Sequence, residues 1–322
     1  MARPELPSLP CLPMRGSLLL GLALLWPLAC AGSHSGASDA TQPTAAADAA
    51  EDGGEGTQTA GADSARAAGT RFEVRVPPKG SVREDETEQS MHLELVHRQG
   101  KGKRTLVQET LQRTKTRTTV LAATEEAITE KRVEYLEGSS EQRIGNRKQS
   151  IPNPLIGKTY VLRLSGGKLV ATGQGGRTVT EYERERLVRD NPNLGKPSQF
   201  AALIPRRPIR VGEQLSPDPR VLAAAFGKRD VEVNRAAFTL AGLREREDTR
   251  LGAFDVSLTI VETTEQTVNQ TELEGTVVLQ AATCWPEEID LEGRVSVVGK
   301  PPNEAELRGS GTVRIQVRST YE

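Results

Sequence analysis

Cys284, in the stretch "AATCWPEE", is the strongest candidate nucleophile of this chain. A nucleophilic cysteine needs a neighbouring base, which is usually a histidine. The three histidines are His34, in a low-complexity stretch, and His92 and His97, five residues apart in one strand-like segment. Positions five apart on a strand face opposite sides, so these two histidines do not share a metal ion. We therefore predict that Cys284 is a small buried side chain, and we predict no catalytic or metal-binding residue.

Other stretches carry groups that chemistry could use, but not in a defining pattern. Glu125, Glu126 and Glu130 could form paired carboxylates, yet exposure is the usual state of glutamate. The stretch "TGQGGRT" (172–178) precedes a helix but lacks the spacing and the terminal Lys-Ser/Thr of a phosphate loop. The basic stretch "RTKTRTT" (113–119) alternates with threonine and lacks the aromatic residues that stack on bases. We therefore predict that 172–178 is a glycine loop, that 113–119 is a solvated strand face, and that the protein binds no cofactor.

The composition excludes several classes of function. Net charge is −1, from 42 basic and 43 acidic residues, so no overall field attracts nucleic acid. Aromatic residues make up 3% of the chain, which argues against stacking on sugars or bases. With Cys284 as the one cysteine beyond the N-terminal region, the sequence predicts no internal disulfide.

The N-terminal region has the pattern of an export signal. The apolar run at 18–28 is shorter than the roughly 20 residues of a membrane-spanning helix. It follows a basic residue, Arg15, and precedes small residues, as in a secretory signal peptide. We assign residues 1–29 to this signal, with Met14 as an alternative start.

The end of the apolar run resembles the lipobox of bacterial lipoproteins. The residues are Leu28, Ala29 and Cys30, and the pattern departs from the family at Pro27, where an aliphatic residue is usual. The resemblance implies cleavage before Cys30, lipidation of its thiol and a membrane anchor. By the family's sorting rule, Ala31 implies the outer membrane of the cell envelope. The alternative is ordinary cleavage after Ala31, with Cys30 discarded.

A linker and a single domain follow the anchor. Residues 31–69 are mostly small or acidic, so they cannot bury enough apolar surface to offset the entropy of ordering. We predict a disordered linker over 30–69, which includes the lipidated cysteine. Residues 70–322 have a length that suits one β-rich domain.

Alternation with period two predicts long antiparallel strands. It is clearest at 254–260 and 313–317, where apolar residues alternate with polar ones, and a noisier segment covers 72–76. Turn residues at 165–168 and 99–103 predict two hairpins. The fold class is α+β, mainly β: a curved antiparallel sheet or half-barrel with two short helices packed on it.

The two helices are predicted at 178–192 and 216–227. The first carries three Glu/Arg pairs at helical spacing, which are Glu181/Arg184, Glu183/Arg186 and Glu185/Arg189. The second has Ser216 at its N-cap, Pro217 at the first helical position and a closing glycine at 227. Between them, Pro205 and Pro208 predict an extended connector.

Segments within 200–298 resemble the C-terminal half of exported, β-rich bacterial proteins of unknown function. They include "FAALIPRRPIRVGEQL", which contains the proline- and glycine-bearing stretch from Leu203 to Glu213, and "LEGTVVLQAATCWPEEIDLEGRV". The architecture resembles the half-barrel of the lipoprotein-carrier superfold, a curved sheet wrapped around helices. That resemblance implies an apolar hollow and no enzymatic activity.

Two functions remain open for a non-enzymatic envelope lipoprotein. In the first, the concave face, lined by Val, Leu, Ile and Phe254, binds a lipid or another apolar ligand. In the second, the apolar face is filled by the protein itself, and the domain is a structural module or binds envelope proteins. Free apolar volume distinguishes the two, because valine and leucine can fill a small core completely.

Overall fold

The computed structural model describes residues 69–100, 102–198, 200, 203–225, 231–299 and 306–322. The predicted signal peptide, Cys30 and the linker up to residue 68 lie outside the described residues. Within them the chain is mainly antiparallel β-structure, as predicted. The strands are β1 Val82–Gln99, β2 Gly102–Ala123, β3 Ile128–Ile144, β4 Arg147–Ser150, β5 Lys158–Ser165, β6 Lys168–Gly173, β7 Gln214–Leu215, β8 Val231–Arg246, β9 Thr249–Thr263, β10 Thr267–Gln280, β11 Pro286–Gly299 and β12 Glu306–Tyr321.

The strands form one open sheet in the order β6-β5-β3-β2-β1-β12-β11-β10-β9-β8-β7, with β4 paired to β3. Most neighbours are also neighbours in sequence. The exception at the centre is the pair β1–β12, which joins the two ends of the domain, with Thr87 opposite Val317. The two halves of the sheet therefore depend on a contact between residues more than 200 positions apart.

Alternating side chains explain the strands and their register. In β12, Val313, Ile315 and Val317 are buried, whereas Arg314 and Arg318 are exposed. Both predicted hairpins are present: Gly100 lies between β1 and β2, and Gly166 and Gly167 join β5 to β6. These glycines have positive φ, as tight hairpin turns require.

The prediction of two short helices is not borne out as made. Helix α1 spans Glu181–Asp190 and begins at a capping box of Thr180 and Glu183, three residues later than predicted. Of the second predicted helix, the described residues show a seven-residue segment, α2, at Pro219–Ala225, and the predicted closing glycine at 227 lies outside the described residues. The segment does not begin at Ser216, because Asp218 accepts a hydrogen bond from the Arg220 amide and Pro219 takes the first helical position.

Two further predictions about local structure are wrong. The segment at 72–76 is not a strand; it crosses the end of the sheet, where the Glu73 and Arg75 amides donate to Ala281 and Thr283 carbonyls. The connector after the first helix is not extended at its start, because the Ile204 amide donates to the Phe200 carbonyl in a helical turn. Both segments carry large apolar side chains that cover the sheet.

The apolar side chains form two cores. The larger lies on one face of β1 and β8–β12 and is covered by Phe72, Phe200, Ile209 and Leu222. The smaller lies under α1, where Leu187 packs with side chains of β3 and β5. In the described part of the chain, no helix is both long and apolar enough to cross a membrane.

Candidate functional site

The residues singled out for chemistry are not brought together. His92 and His97 lie on opposite faces of β1, as predicted, and His92 Nδ1 is 3.4 Å from a carboxylate oxygen of Glu109. Glu125 is exposed and Glu126 is half-buried in the bend between β2 and β3, and Glu130 is half-buried in β3. Among the described residues, no group of histidine, cysteine and carboxylate side chains could hold a metal ion.

Cys284 is buried, as predicted. Its side chain belongs to the larger core, and burial raises the pKa of the thiol to about 12. The thiolate is the nucleophilic form of cysteine, so this thiol is inert near neutral pH. Cys284 has φ of 55° in the turn between β10 and β11, where its amide donates to the Gln280 carbonyl at 2.8 Å.

The apolar face that a half-barrel ligand would contact is occupied by the chain's own side chains. Phe254 is 1% exposed, and the valines, leucines and isoleucines beside it are 0–7% exposed in one continuous cluster. Phe72 stacks on Phe254 edge to face, with ring centroids 5.1 Å apart. The predicted lining residues therefore form a packed core.

The opposite, polar face of the sheet carries a large concavity of about 1350 Å³, here named the polar trough. Its floor is formed by β1, β12 and β11, and its two walls are β2–β4 on one side and β10 on the other. Its charged side chains are Glu109, Glu141, Glu272, Glu274, Asp290, Glu292, Arg143, Lys148, Arg294 and Arg314.

The trough exists because the sheet curls. Strands β3 and β10 are five steps apart in the sheet, which would separate them by about 24 Å if the sheet were flat. Glycines permit the bend: a Cβ at Gly293 would collide with the Glu272 carbonyl, and one at Gly311 with that of His92. Glycine in a strand commonly marks such a close approach of two backbones.

Ion pairs between neighbouring strands hold one wall and the floor of the trough. Glu141 pairs with Lys148 at 2.7 Å, and Glu109 with Arg143 at 3.3 Å. On the floor, Arg314 Nη2 is 2.9 Å from Asp290 Oδ2. The hydrogen bond from Arg314 keeps the pKa of Asp290 below its ordinary value, and Gln316 adds a second.

The β10 wall differs, because its carboxylates make no ion pair within 4 Å among the described residues, although Glu272 lies opposite Arg294 in the register. Glu274 lies directly opposite Glu292 of β11, and among the described residues neither makes an ion pair. Glu272 accepts a hydrogen bond from the uncharged amide of Gln270 at 2.7 Å. Like charges on directly opposed residues destabilise a sheet. The trough thus has one neutralised wall and one acidic wall.

The same ladder of charges continues along β1 and β2 beyond the trough. Arg113 pairs with Glu88 and Lys115 with Glu86, each at 2.8 Å. The basic stretch at 113–119 is therefore a solvated strand face, as predicted, neutralised by the neighbouring strand.

The sequence did not reveal the trough, because its floor depends on the β1–β12 pairing. The sequence does show opposite charges at alternate positions of β1 and β2. Such charges reveal ion pairs only when it is already known which strands lie side by side.

A second cluster of charged side chains anchors α1. Glu183 is buried and accepts hydrogen bonds from Lys158 Nζ at 2.8 Å, Tyr160 Oη at 2.9 Å and Arg177 Nη1 at 3.1 Å. Burial alone would raise the pKa of Glu183, but these bonds and the Thr180 amide hold it well below its usual range. Burial of Tyr160, together with the hydrogen bond that its hydroxyl donates to Glu183, raises the pKa of Tyr160 to about 12. Every polar atom of Glu183 is used within the fold, so the cluster is an anchor for the helix.

The glycine loop lies beside this anchor. Residues Gln174–Gly176 form one short 3-10 turn between β6 and α1, and the adjacent Arg177 reaches Glu183. The loop therefore positions an arginine on a buried carboxylate.

The chain matches no protein-family model and no curated protein. Solved structures that align with it include engineered variants of the Rh. blastica porin, at 9% identity over 73% of this chain and 99% of the porin, with a TM-score of 0.23. An outer membrane channel from Pseudomonas putida aligns at 8% identity over 77% and 98%, with a TM-score of 0.21. DynF from the dynemicin biosynthesis pathway of Micromonospora chersina aligns at 10% identity over 82% and 92%, with a TM-score of 0.19. Similarity at this level carries no argument about the fold or activity of this chain.

Proposed function

We propose that this chain is a non-enzymatic, lipid-anchored protein of the bacterial cell envelope that binds a polypeptide in the polar trough. One observation carries the proposal: the apolar face is packed with the chain's own side chains, whereas the polar face forms an open concavity of about 1350 Å³ lined by charges of both signs. This contrast favours the interaction module over the carrier of apolar ligands.

The lining of the trough favours a polypeptide over other polymers. Six carboxylates face four cationic side chains there, which disfavours the phosphate backbone of a nucleic acid. No phenylalanine, tyrosine or tryptophan lines the trough to stack on sugars or bases. A polypeptide that carries both lysine or arginine and acidic residues can meet the acidic β10 wall and the arginines of the floor.

The anchor is proposed on Cys30. A lipid on this thiol, followed by the linker up to residue 69, would hold the domain at a distance from the bilayer. The Cys30→Ser variant should lose metabolically incorporated palmitate and move from the membrane fraction to the soluble envelope fraction. Palmitate retained on Cys30→Ser would contradict lipidation at this residue.

Site-specific photo-crosslinking in the producing cell tests the trough. A benzophenone amino acid at Thr312, on the floor, should give one defined adduct with an envelope protein. The matched control is Thr320, on the same strand and the same exposed face but outside the trough. The adduct at Thr312 should disappear when Glu272 and Glu274 are both changed to lysine. The same adducts from both positions, or none from Thr312, would contradict the proposal.

A further inference from the structure

The β1–β2 hairpin ends in a group of cationic side chains, here named the basic tip, which consists of Arg98, Lys103 and Arg104. All three side chains are exposed, and among the described residues none of them makes an ion pair. Arg98 lies directly opposite Lys103 in the register of the hairpin. No residue of the basic tip lines the polar trough, so the tip is separate from the surface to which function was assigned above.

The like charges of the basic tip differ from the charges along the rest of the same hairpin. Further along the two strands, Glu88 lies opposite Arg113 and pairs with it at 2.8 Å, and the next cation of β2 also pairs with a glutamate of β1. Like charges on directly opposed residues destabilise a sheet. The opposition of Arg98 and Lys103 therefore costs the fold stability, and local costs of this kind are typical of residues that serve binding.

The neighbouring strand β12 does not neutralise the basic tip. Glu306 lies opposite Arg98, but its carboxylate is 2.6 Å from Arg308 of its own strand. Over the described residues of 96–106 and 306–308, four cationic side chains and one carboxylate give a local net charge of +3. The whole chain has a net charge of −1. The basic tip is thus a local positive region that attracts an anionic partner.

Exposed valine side chains lie beside the basic tip on the polar face of the sheet. Val298 is 55% exposed, and Val268, which lies opposite it on β10, is 44% exposed. Only Arg308 separates Val298 from Val96 in the register, and Val96 lies on the same face as Arg98, two residues later. Cationic side chains next to exposed apolar ones are typical of surfaces that bind at the interface of a lipid bilayer.

From the unpaired cations and their apolar neighbours, we propose that the basic tip binds the surface of an anionic phospholipid bilayer. The cations would lie at the level of the phosphate groups, where the negative surface potential attracts them. The valines would lie between the headgroups, a contact that a nucleic acid or another soluble polyanion does not offer. The contact is with a lipid surface, and the protein encloses no lipid molecule. The proposal goes beyond the function proposed for the trough and uses different residues.

Sedimentation with lipid vesicles tests the proposal. The full chain with Cys30→Ser, which carries no anchor lipid, is mixed with vesicles of phosphatidylcholine alone or of phosphatidylcholine with phosphatidylglycerol. More protein should bind to the anionic vesicles than to the neutral ones, and the excess should disappear at high salt, because salt screens exposed charges. Binding through the apolar run at 18–28 would be equal for the two kinds of vesicle, so the difference between them reports on the basic tip.

Substitutions at the basic tip locate the contact. The triple variant Arg98→Gln, Lys103→Gln and Arg104→Gln should weaken binding to the anionic vesicles on the order of a hundredfold. Lys103→Glu alone should weaken it by at least about tenfold and should raise the melting temperature, because a carboxylate then lies opposite Arg98. A merely structural role of the tip would lower binding and melting temperature together.

The matched control removes the same charge from the same hairpin. The triple variant Arg113→Gln, Lys115→Gln and Arg117→Gln loses three cations of β2 that already pair with glutamates. It should bind the anionic vesicles as tightly as the parent protein does. If the triple variant of the basic tip does not fold, as checked by circular dichroism, the comparison of the two kinds of vesicle and Lys103→Glu still decide.

Any of four results would overturn the inference. Equal binding to neutral and anionic vesicles would mean apolar association alone, and equal losses in the two triple variants would mean a general effect of net charge. Unaltered binding or a lower melting temperature of Lys103→Glu would contradict the role of the opposed cations. Soluble glycerophosphoglycerol that displaces the protein at the same phosphate concentration would replace the bilayer by a free phosphate ester. None of these results bears on the crosslink expected at Thr312, so the two proposals fail independently.

Discussion

At the scale of single residues, the buried carboxylate of Glu183 anchors α1 through partners that helical spacing did not predict. The sequence predicted an ion pair between Glu183 and Arg186 along the helix, and this was wrong. Arg186 instead pairs with Asp190. Glu183 accepts hydrogen bonds from Lys158, Tyr160 and Arg177. The predicted pair of Glu181 with Arg184 is present. Spacing identifies neighbours on one helix, but it does not show which side chain turns toward another strand.

Glu183→Gln should therefore destabilise the domain. Loss of the charge weakens several hydrogen bonds to a buried acceptor, and the free energy of unfolding should fall by about 2 kcal/mol. Urea denaturation measures the change. Glu181→Gln, on the exposed side of the same helix, is the matched control and should leave stability nearly unchanged. Equal effects of the two substitutions would show that the Glu183 cluster does not anchor the helix.

The pH dependence of stability follows from the same carboxylate. Its pKa in the folded protein lies below the ordinary value of 4.5, so the unfolded chain binds the proton more readily. The stabilisation is complete above about pH 5 and declines as the pH falls through 4.5 toward the folded pKa. The difference in unfolding free energy between the parent and Glu183→Gln should shrink between pH 7 and pH 3. A difference that is constant over this range would contradict the account.

At the scale of the elements, alternation predicted the strands well and the connections less well. The hairpins at Gly100 and Gly166–Gly167 could be predicted, because tight turns leave a local signature. The position of α2 could not, since Pro217 and Pro219 both suit the first turn of a helix and the Asp218 side chain decides between them. The role of the strand glycines was also hidden, because it arises from a carbonyl of the neighbouring strand.

Gly293→Ala tests whether glycine is needed for the bend of the sheet. The added methyl group would collide with the Glu272 carbonyl, so β10 and β11 must move apart and lose hydrogen bonds. We expect a loss of about 2 kcal/mol in unfolding free energy, which thermal or urea denaturation would detect. Gly242→Ala in β8 is the control, because no atom lies within 4 Å of the Cβ that it adds. A Gly293→Ala protein as stable as Gly242→Ala would show that the bend does not require glycine.

At the scale of the whole molecule, the sheet packs one face as the larger core and carries the polar trough on the other. The class of fold could be predicted, because period-two alternation of Val, Leu and Ile is a local pattern. The sequence could not decide between an apolar hollow and a filled core. The outcome depends on Phe72, Phe200 and Ile209, which reach the sheet from segments without strand structure. The trough likewise requires β1 to pair with β12 across almost the whole domain.

Native mass spectrometry tests the central claim most directly. The full chain with Cys30→Ser, which carries no anchor lipid, is purified without detergent and incubated with lipids extracted from the envelope of the producing cell. Because the apolar face is already packed, we expect the mass of the protein without any bound phospholipid. A bound lipid that survives desalting and leaves only on denaturation would contradict the filled core and favour a carrier.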